Sequence, residues 1–319
     1  MPYLFSHFKE KLTPDGEQVY FALSRDGYHW EPFHGGAPVL TCTKGAGGCR
    51  DITFVKLREG GYVILATDLC IVHRMDERHN VDWKDCNHNG SKYLSLWRSD
   101  DLLHWGEQEL VFFGREDFGC LWAPEVFYDD LRGEYLIHWG STVAEDGFNH
   151  MAIYCCATKD FRHFSAPKLF FSKKNEILDS HLTKIGDTYH LFYKNASDPA
   201  MNMHATAKDL YGPYEHDAAF EAYMASLGNA GAYEAATTMI LPDGQWCLLL
   251  DFFGCEKEKM GYVPFLSPAP GNADFTMQKE PFTFPYGFKH GGVTEITEEE
   301  YERLKEYYPA KESKRDCTN

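Results

Sequence analysis

The 319-residue chain reads as an all-β protein, a five-bladed β-propeller. Three observations carry that reading. A two-strand unit recurs four times, a second unit follows it each time, and the two ends of the chain hold the parts of one more copy. The first unit is an apolar run, a turn containing Gly, Asp or Asn, and an aromatic-rich run. It spans 51–68, 125–140, 179–195 and 234–253. The second unit is a strand ending in a small or polar residue, then a turn, often with Trp or Phe beyond it. It spans 93–105, 151–164, 201–214 and, more weakly, 261–275. Each composite supplies about four short strands.

The remaining pieces make the last blade. The C-terminal run 290–297 supplies its first strand, and the N-terminal runs 3–8, 18–30 and 37–40 supply the second, third and fourth. A blade built from both ends pins the termini and closes the ring. Thr297 and Glu300 form a capping-box pattern for a short helix over 298–308. No linker divides the chain, so 1–305 reads as one domain with a polar tail, 306–319. Helical periodicity is almost absent before 297, which argues against an α/β fold.

Composition narrows the partners. Forty-eight acidic against 31 basic residues leave a net charge of −17 and no basic stripe, so nucleic acid is excluded. The first residues, Met-Pro-Tyr-Leu-Phe-Ser-His-Phe, carry neither a basic stretch nor a long apolar run, so no signal peptide or membrane span is expected. The 10 cysteines show no CxxC and read as reduced thiols in a cytoplasmic protein. The GAGG at 45–48 is a glycine turn without the strand–helix context of a dinucleotide site, and no GxSxG elbow or phosphate-cradling loop occurs.

In a propeller the first strand of each blade lines the central channel. The residues at its start are Asp51, Glu125, Asp179, Glu234 and His290. Several carboxylic acids around one axis disfavour joint ionisation, the condition under which one acid keeps a proton while another stays anionic. That pairing is what glycosidic bond hydrolysis needs: one acid protonates the departing oxygen and one carboxylate activates water or attacks carbon.

With these residues the sequence resembles glycoside hydrolase family 43, five-bladed propeller enzymes that include α-L-arabinofuranosidases and β-xylosidases. The resemblance covers residues 3–305. It rests on Trp122-Ala123-Pro124-Glu125, Ser24-Arg25-Asp26-Gly27-Tyr28-His29-Trp30, Ser99-Asp100-Asp101-Leu102-Leu103-His104-Trp105 and Lys289-His290-Gly291-Gly292. It implies an inverting mechanism with Asp51 as base, Asp179 as the residue tuning the acid, and Glu234 as general acid. It also implies that no cofactor is required, although some members hold a calcium ion in the channel. The sequence departs from the family pattern in placing Ile52 after Asp51, Ala235-Ala236 after Glu234, and Gly292 where Ser is usual.

Neighbouring residues are candidates for substrate binding: Arg50 beside Asp51, Glu125, His290, and Trp122 and Trp83 as platforms for sugar rings. Trp83 lies in a long insertion, 70–90, whose His, Cys and Asp spacing matches no zinc pattern; a loop shaping the funnel is expected, with no metal. Segment 216–233 is placed to form a second wall. The sequence therefore predicts an exo-acting inverting glycosidase releasing a terminal pentose, L-arabinofuranose or D-xylose, from oligosaccharides. The rivals are a catalytically altered sugar-binding relative, motivated by the departures, and a propeller phosphorylase.

Overall fold

The computed structural model describes residues 1–308 apart from 10, 12, 14, 229–230, 255–259, 279–281 and 286. The described residues form twenty strands in chain order. They are β1 (Tyr3–Lys9), β2 (Tyr20–Ser24), β3 (Glu31–Pro32), β4 (Arg50–Lys56), β5 (Tyr62–Thr67), β6 (Tyr93–Ser99), β7 (Glu109–Phe112), β8 (Trp122–Asp129), β9 (Glu134–Ser141) and β10 (Ala152–Thr158). There follow β11 (Lys168–Phe171), β12 (Ile177–Ile185), β13 (Thr188–Asn195), β14 (Met201–Ala207), β15 (Glu215–His216), β16 (Ala232–Ile240), β17 (Trp246–Phe253), β18 (Gly261–Ser267), β19 (Thr276–Met277) and β20 (Phe288–Glu295). The α-helices among the described residues are α1 (Trp83–His88), α2 (Ala218–Ser226) and α3 (Glu298–Tyr307), and short 3₁₀ turns lie at His34–Gly36, Ile71–Arg74 and Ala144–Asp146. None is long and apolar enough to cross a membrane.

The first three strands of each repeat match the expected units, and the fourth strands, β7, β11, β15 and β19, lie just beyond them. β8–β11, β12–β15 and β16–β19 are four-stranded antiparallel sheets in which spatial order equals chain order. β4–β7 form a fourth such meander, and the order β20-β1-β2-β3 joins both ends of the chain in a further four strands. One parallel bridge, Gly291 to Ile52, links these last two groups into an eight-stranded sheet. The chain is thus all-β, with four-stranded sheets arranged as in a propeller. The first strands β4, β8, β12 and β16 contact one another in succession, and β20 lies between β16 and β4. Side chains tie them: Thr53 Oγ1 donates to the Pro124 carbonyl at 2.5 Å and the Val293 amide donates to Thr237 Oγ1 at 3.1 Å.

Middle strands such as β5 and β17 are apolar almost throughout, without polar alternation, because neighbouring sheets cover both faces. One interface packs Val63, Leu65, Leu94 and Leu96 of β5 and β6 against Ile137, Trp139 and Tyr154 of β9 and β10. The Ser/Thr-x-Asp-x-x-His motif is structural. In all three copies the Asp Oδ1 accepts two backbone amides and its Oδ2 faces the His Nδ1 at 2.7 Å (Asp26–His29, Asp101–His104, Asp160–His163). These turns end a third strand and start the descent to the fourth.

Two expectations about the chain ends need correction. The fourth strand beside β2 is Glu31–Pro32, not 37–40; Leu40 makes only an isolated bridge to Val19. The capping box at Thr297 and Glu300 is present, but α3 runs past the expected boundary at 305, and Tyr308 still packs on Phe33 and donates to the Leu103 carbonyl. The rest of the expected tail, 309–319, lies outside the described residues.

β20 passes so close to β1 that a Cβ on Gly291 would sit 1.8 Å from the Ser6 carbonyl oxygen, whereas one on Gly292 would meet nothing within 4 Å. Gly291→Ala therefore forces β1 and β20 apart and is expected to cost at least about 2 kcal/mol. Gly292→Ala is expected to stay within about 0.5 kcal/mol of the parent. Urea denaturation of the two variants checks the contrast; equal midpoints would overturn the close-approach reading.

Candidate active site

The site is built by one irregularity repeated at the head of each first strand. The register of β4 on β5 shifts between Arg50 and Thr53, that of β8 on β9 between Trp122 and Glu125, that of β12 on β13 between Leu178 and His181, and that of β16 on β17 between Glu234 and Thr237. In each bulge the second residue is left-handed: Asp51 (φ 54°), Ala123 (φ 50°), Asp179 (φ 52°) and Ala235 (φ 53°). β20 shifts likewise against β1, placing Lys289 and His290 at the same two positions. A bulge re-aims side chains that simple alternation would send to opposite faces. Consecutive residues consequently line one cavity: Arg50 with Asp51, Leu178 with Asp179, and Lys289 with His290.

This register corrects the phase read from the sequence. Asp51, Asp179 and His290 are equivalent, but Glu234 stands one residue before that position and Glu125 two after it. Glu234 still lines the cavity. Glu125 does not: its carboxylate meets His181 Nδ1 at 2.9 Å, and His181 Nε2 lies 2.9 Å from Thr238 Oγ1. Glu125 and His181 thus tie β8, β12 and β16 together.

The cavity measures about 590 Å³. Arg50, Asp51, Trp83, Trp122, Asp179, Glu234 and His290, all expected at the site, line it. The insertion 70–90 forms one wall through Ile71, Val72, Met75, Val81 and Trp83. Trp83, half-exposed on α1, meets Trp122 edge to face at 6.2 Å. Three polar groups of this insertion already have partners: Asp76 accepts the amides of Arg78 and Asn80, Arg74 pairs with Asp85, and His73 Nδ1 lies 2.9 Å from the Ala46 carbonyl. The described residues of 216–233 contribute nothing to the lining up to Tyr233. The facing wall comes from Phe253, Gly254 and Met260, because α2 packs instead against β14.

The carboxylates sit in different electrostatic surroundings. Burial alone would raise the Asp51 carboxyl, but His290 Nδ1 at 3.2 Å, the neighbouring Arg50 and the Thr67 hydroxyl at 2.7 Å outweigh it and hold it at about 2. Thr67 is itself fixed by the Ala123 amide at 2.9 Å. Burial raises Asp179 to about 6, against the pull of His290 at 3.9 Å and with the help of Glu234. Burial also acts to raise Glu234, but Lys194, whose Nζ lies 2.5 Å from Oε2, and Lys289 lower it below the ordinary range. For His290, burial is outweighed by Asp51 and Asp179, which lift it to about 9. Arg50 pairs with Glu17 at 2.7 Å and lies over the Phe8 ring.

Sequence reasoning missed Lys194, Lys289 and Asp251, which pairs with Lys289 at 2.6 Å. A signal existed for Asp251, a single charge in the apolar run of β17. Among the described residues no three His, Cys, Asp or Glu side chains are arranged to hold a metal. An imidazolium between two carboxylates, with ammonium groups behind, does not fit the oxygen donor set of calcium. Eight described cysteines are free thiols, all but Cys42 buried; Cys255 and Cys317 lie outside the described residues.

Comparison with known proteins places this geometry in context. A family model described as a probable glycosyl hydrolase domain, related to family 43, matches residues 1–302. Over 218 residues the chain is 24% identical to an α-L-arabinofuranosidase of Bifidobacterium longum, a match covering 62% of this chain and 20% of that protein. The match thus spans about a fifth of that relative's length. A xylan β-1,4-xylosidase of Bacillus halodurans is similar in structure, with a TM-score of 0.56 at 17% identity over 77% of this chain and 48% of that one. So is a Cellvibrio cellulosa α-L-arabinanase bound to arabinohexaose, with a TM-score of 0.56 at 12% identity over 86% and 91%. At these identities the structural likeness is one of fold.

The His290 environment has a consequence for stability. Its pKa rises on folding from 6.5 to about 9, so the stability it contributes is complete below pH 6.5 and lost as pH climbs to 9. Asp51, lowered from 3.8 to about 2, loses its contribution only as pH falls through that lower window. The melting temperature is therefore expected to fall between pH 6.5 and 9, and His290→Gln is expected to flatten that fall. An unchanged slope in the variant would refute the pairing.

Proposed function

The chain belongs to the probable glycosyl hydrolases related to family 43, and from that membership we propose that it is a glycosidase acting by inversion on a terminal pentose. The observation that carries this reading is one cavity lined by three carboxylates in unlike surroundings, Asp51 held anionic and Asp179 biased toward its acid form. Asp51 is the base: it takes a proton from the water that attacks the anomeric carbon. Glu234, once protonated, delivers its proton to the departing glycosidic oxygen as that bond breaks. One displacement, with one proton accepted and one given, leaves the product anomer inverted. Asp179 positions the charge between them through His290.

We read the architecture that presents these groups as a single five-bladed ring, closed where β1 pairs with β20. L-Arabinofuranose or D-xylose is the proposed sugar, supported by the names of the relatives. The wall formed by 71–83 and the Trp83–Trp122 pair suits a chain end rather than a chain passing through, which supports exo action. A second reading, phosphorolysis, draws on the basic side chains of the same cavity, Lys9, Lys11, Arg50, Lys194 and Lys289.

Incubation with 4-nitrophenyl α-L-arabinofuranoside, 4-nitrophenyl β-D-xyloside and arabinoxylan oligosaccharides tests both. Hydrolysis without phosphate is expected, with the inverted anomer forming first by proton NMR. Asp51→Asn and Glu234→Gln should each lower kcat roughly a thousandfold. Release that requires phosphate would favour the second reading. Sugar binding by calorimetry without turnover would make the protein a binding relative.

A further inference from the structure

Two lysines stand beside the proposed acid, Glu234. Lys194 leaves the end of β13, its side chain mostly buried, with Nζ 2.5 Å from Glu234 Oε2 and 4.4 Å above the Phe253 ring. Lys289, from β20, pairs with fully buried Asp251 and faces the same ring at 5.8 Å. Glu234 is accordingly faced by Lys194 of β13, Asp179 of β12, Asp251 of β17, Tyr262 of β18, and Lys289 and His290 of β20. Among the described residues, Lys194 donates a hydrogen bond to the Glu234 carboxylate. A buried carboxylate gripped by an ammonium group is stabilised as the anion, and an anion has no proton to give.

Resting on the proposed glycosidase reading, we propose that Lys194 is a positioning residue that keeps Glu234 as a carboxylate in the free protein and must release it before Glu234 can donate a proton. Lys194 itself lines the cavity. An ammonium group has three donors and no acceptor, so sugar hydroxyls entering the cavity compete with Glu234 for it. Separating a buried ion pair is costly unless both partners find new ones, so release is coupled to ligand contacts. Glu234 then takes up one proton from solvent. The reaction is thus gated by occupancy rather than by a standing acid.

The test is a carboxyl ¹³C NMR titration of the full chain labelled at Glu, with Glu234→Gln identifying the Glu234 resonance. In the parent, its midpoint is expected below the ordinary glutamate value of about 4.3. In Lys194→Met the midpoint should rise by about one to two pH units, and Lys194→Arg should restore it. The alkaline limb of kcat/KM should move in the same direction in Lys194→Met. A parent midpoint at or above about 4.3 overturns the proposal without any variant. So does an unmoved midpoint in a Lys194→Met protein whose circular dichroism is native. If the midpoint moves as expected but Glu234→Gln remains fully active, the acid assignment fails and the role of Lys194 in holding the carboxylate stands.

Discussion

The site depends on one backbone constraint, a bulge at the head of each first strand with its second residue usually left-handed. For Asp51, Ala123, Asp179 and Ala235 that conformation carries a cost on the order of 1 kcal/mol each. The surrounding bonds offset it: Thr67 joins Asp51 to the Ala123 amide, so two adjacent bulges hold each other in place. In return, two neighbouring side chains of one strand reach the same cavity. Without the bulges, Arg50 and Asp51, or Lys289 and His290, would point to opposite faces, and the ion pairs among them could not form.

Those ion pairs divide labour among chemically similar groups. Asp51 and Asp179 occupy equivalent positions, yet one is held well below its ordinary pKa and the other above it. The difference lies in their partners. His290 is 3.2 Å from Asp51 and 3.9 Å from Asp179, while Arg50 and Thr67 favour only Asp51. Glu234, one residue out of step with both, reaches a separate pair of lysines. A single step of register therefore separates the group that keeps its charge against His290 from the one that keeps it against Lys194.

Much of this was legible in the sequence, because repeats and turn chemistry act locally. The strand pairs, the Asp–His turns and the Thr297 capping box all follow from residues a few positions apart. What failed was phase. Taking the start of each repeat unit put Glu125 and Glu234 level with Asp51, whereas the bulges set their true phase. Lys194 and Asp251 were missed for a different reason. Their meaning comes from partners on other strands, Glu234 and Lys289: Lys194, near the end of β13, reads alone as a solvent-facing charge, and the apolar run around Asp251 marks it without naming its partner. The fourth strand misplaced at 37–40 and the wall expected from 216–233 were judged on composition and position, where tertiary packing decides.

Pairing β1 with β20 joins residues about as far apart as this chain allows. On a ribosome, β1, β2 and β3 emerge long before β20 and lack their central neighbour until Phe288–Glu295 has been made. Local meanders such as β8–β11 can assemble as they emerge, whereas the first-made strands wait with an open edge. His290, which balances Asp51 and Asp179, belongs to β20. The electrostatic arrangement of the cavity therefore waits on β20, and a nascent chain lacks it until that strand has been made.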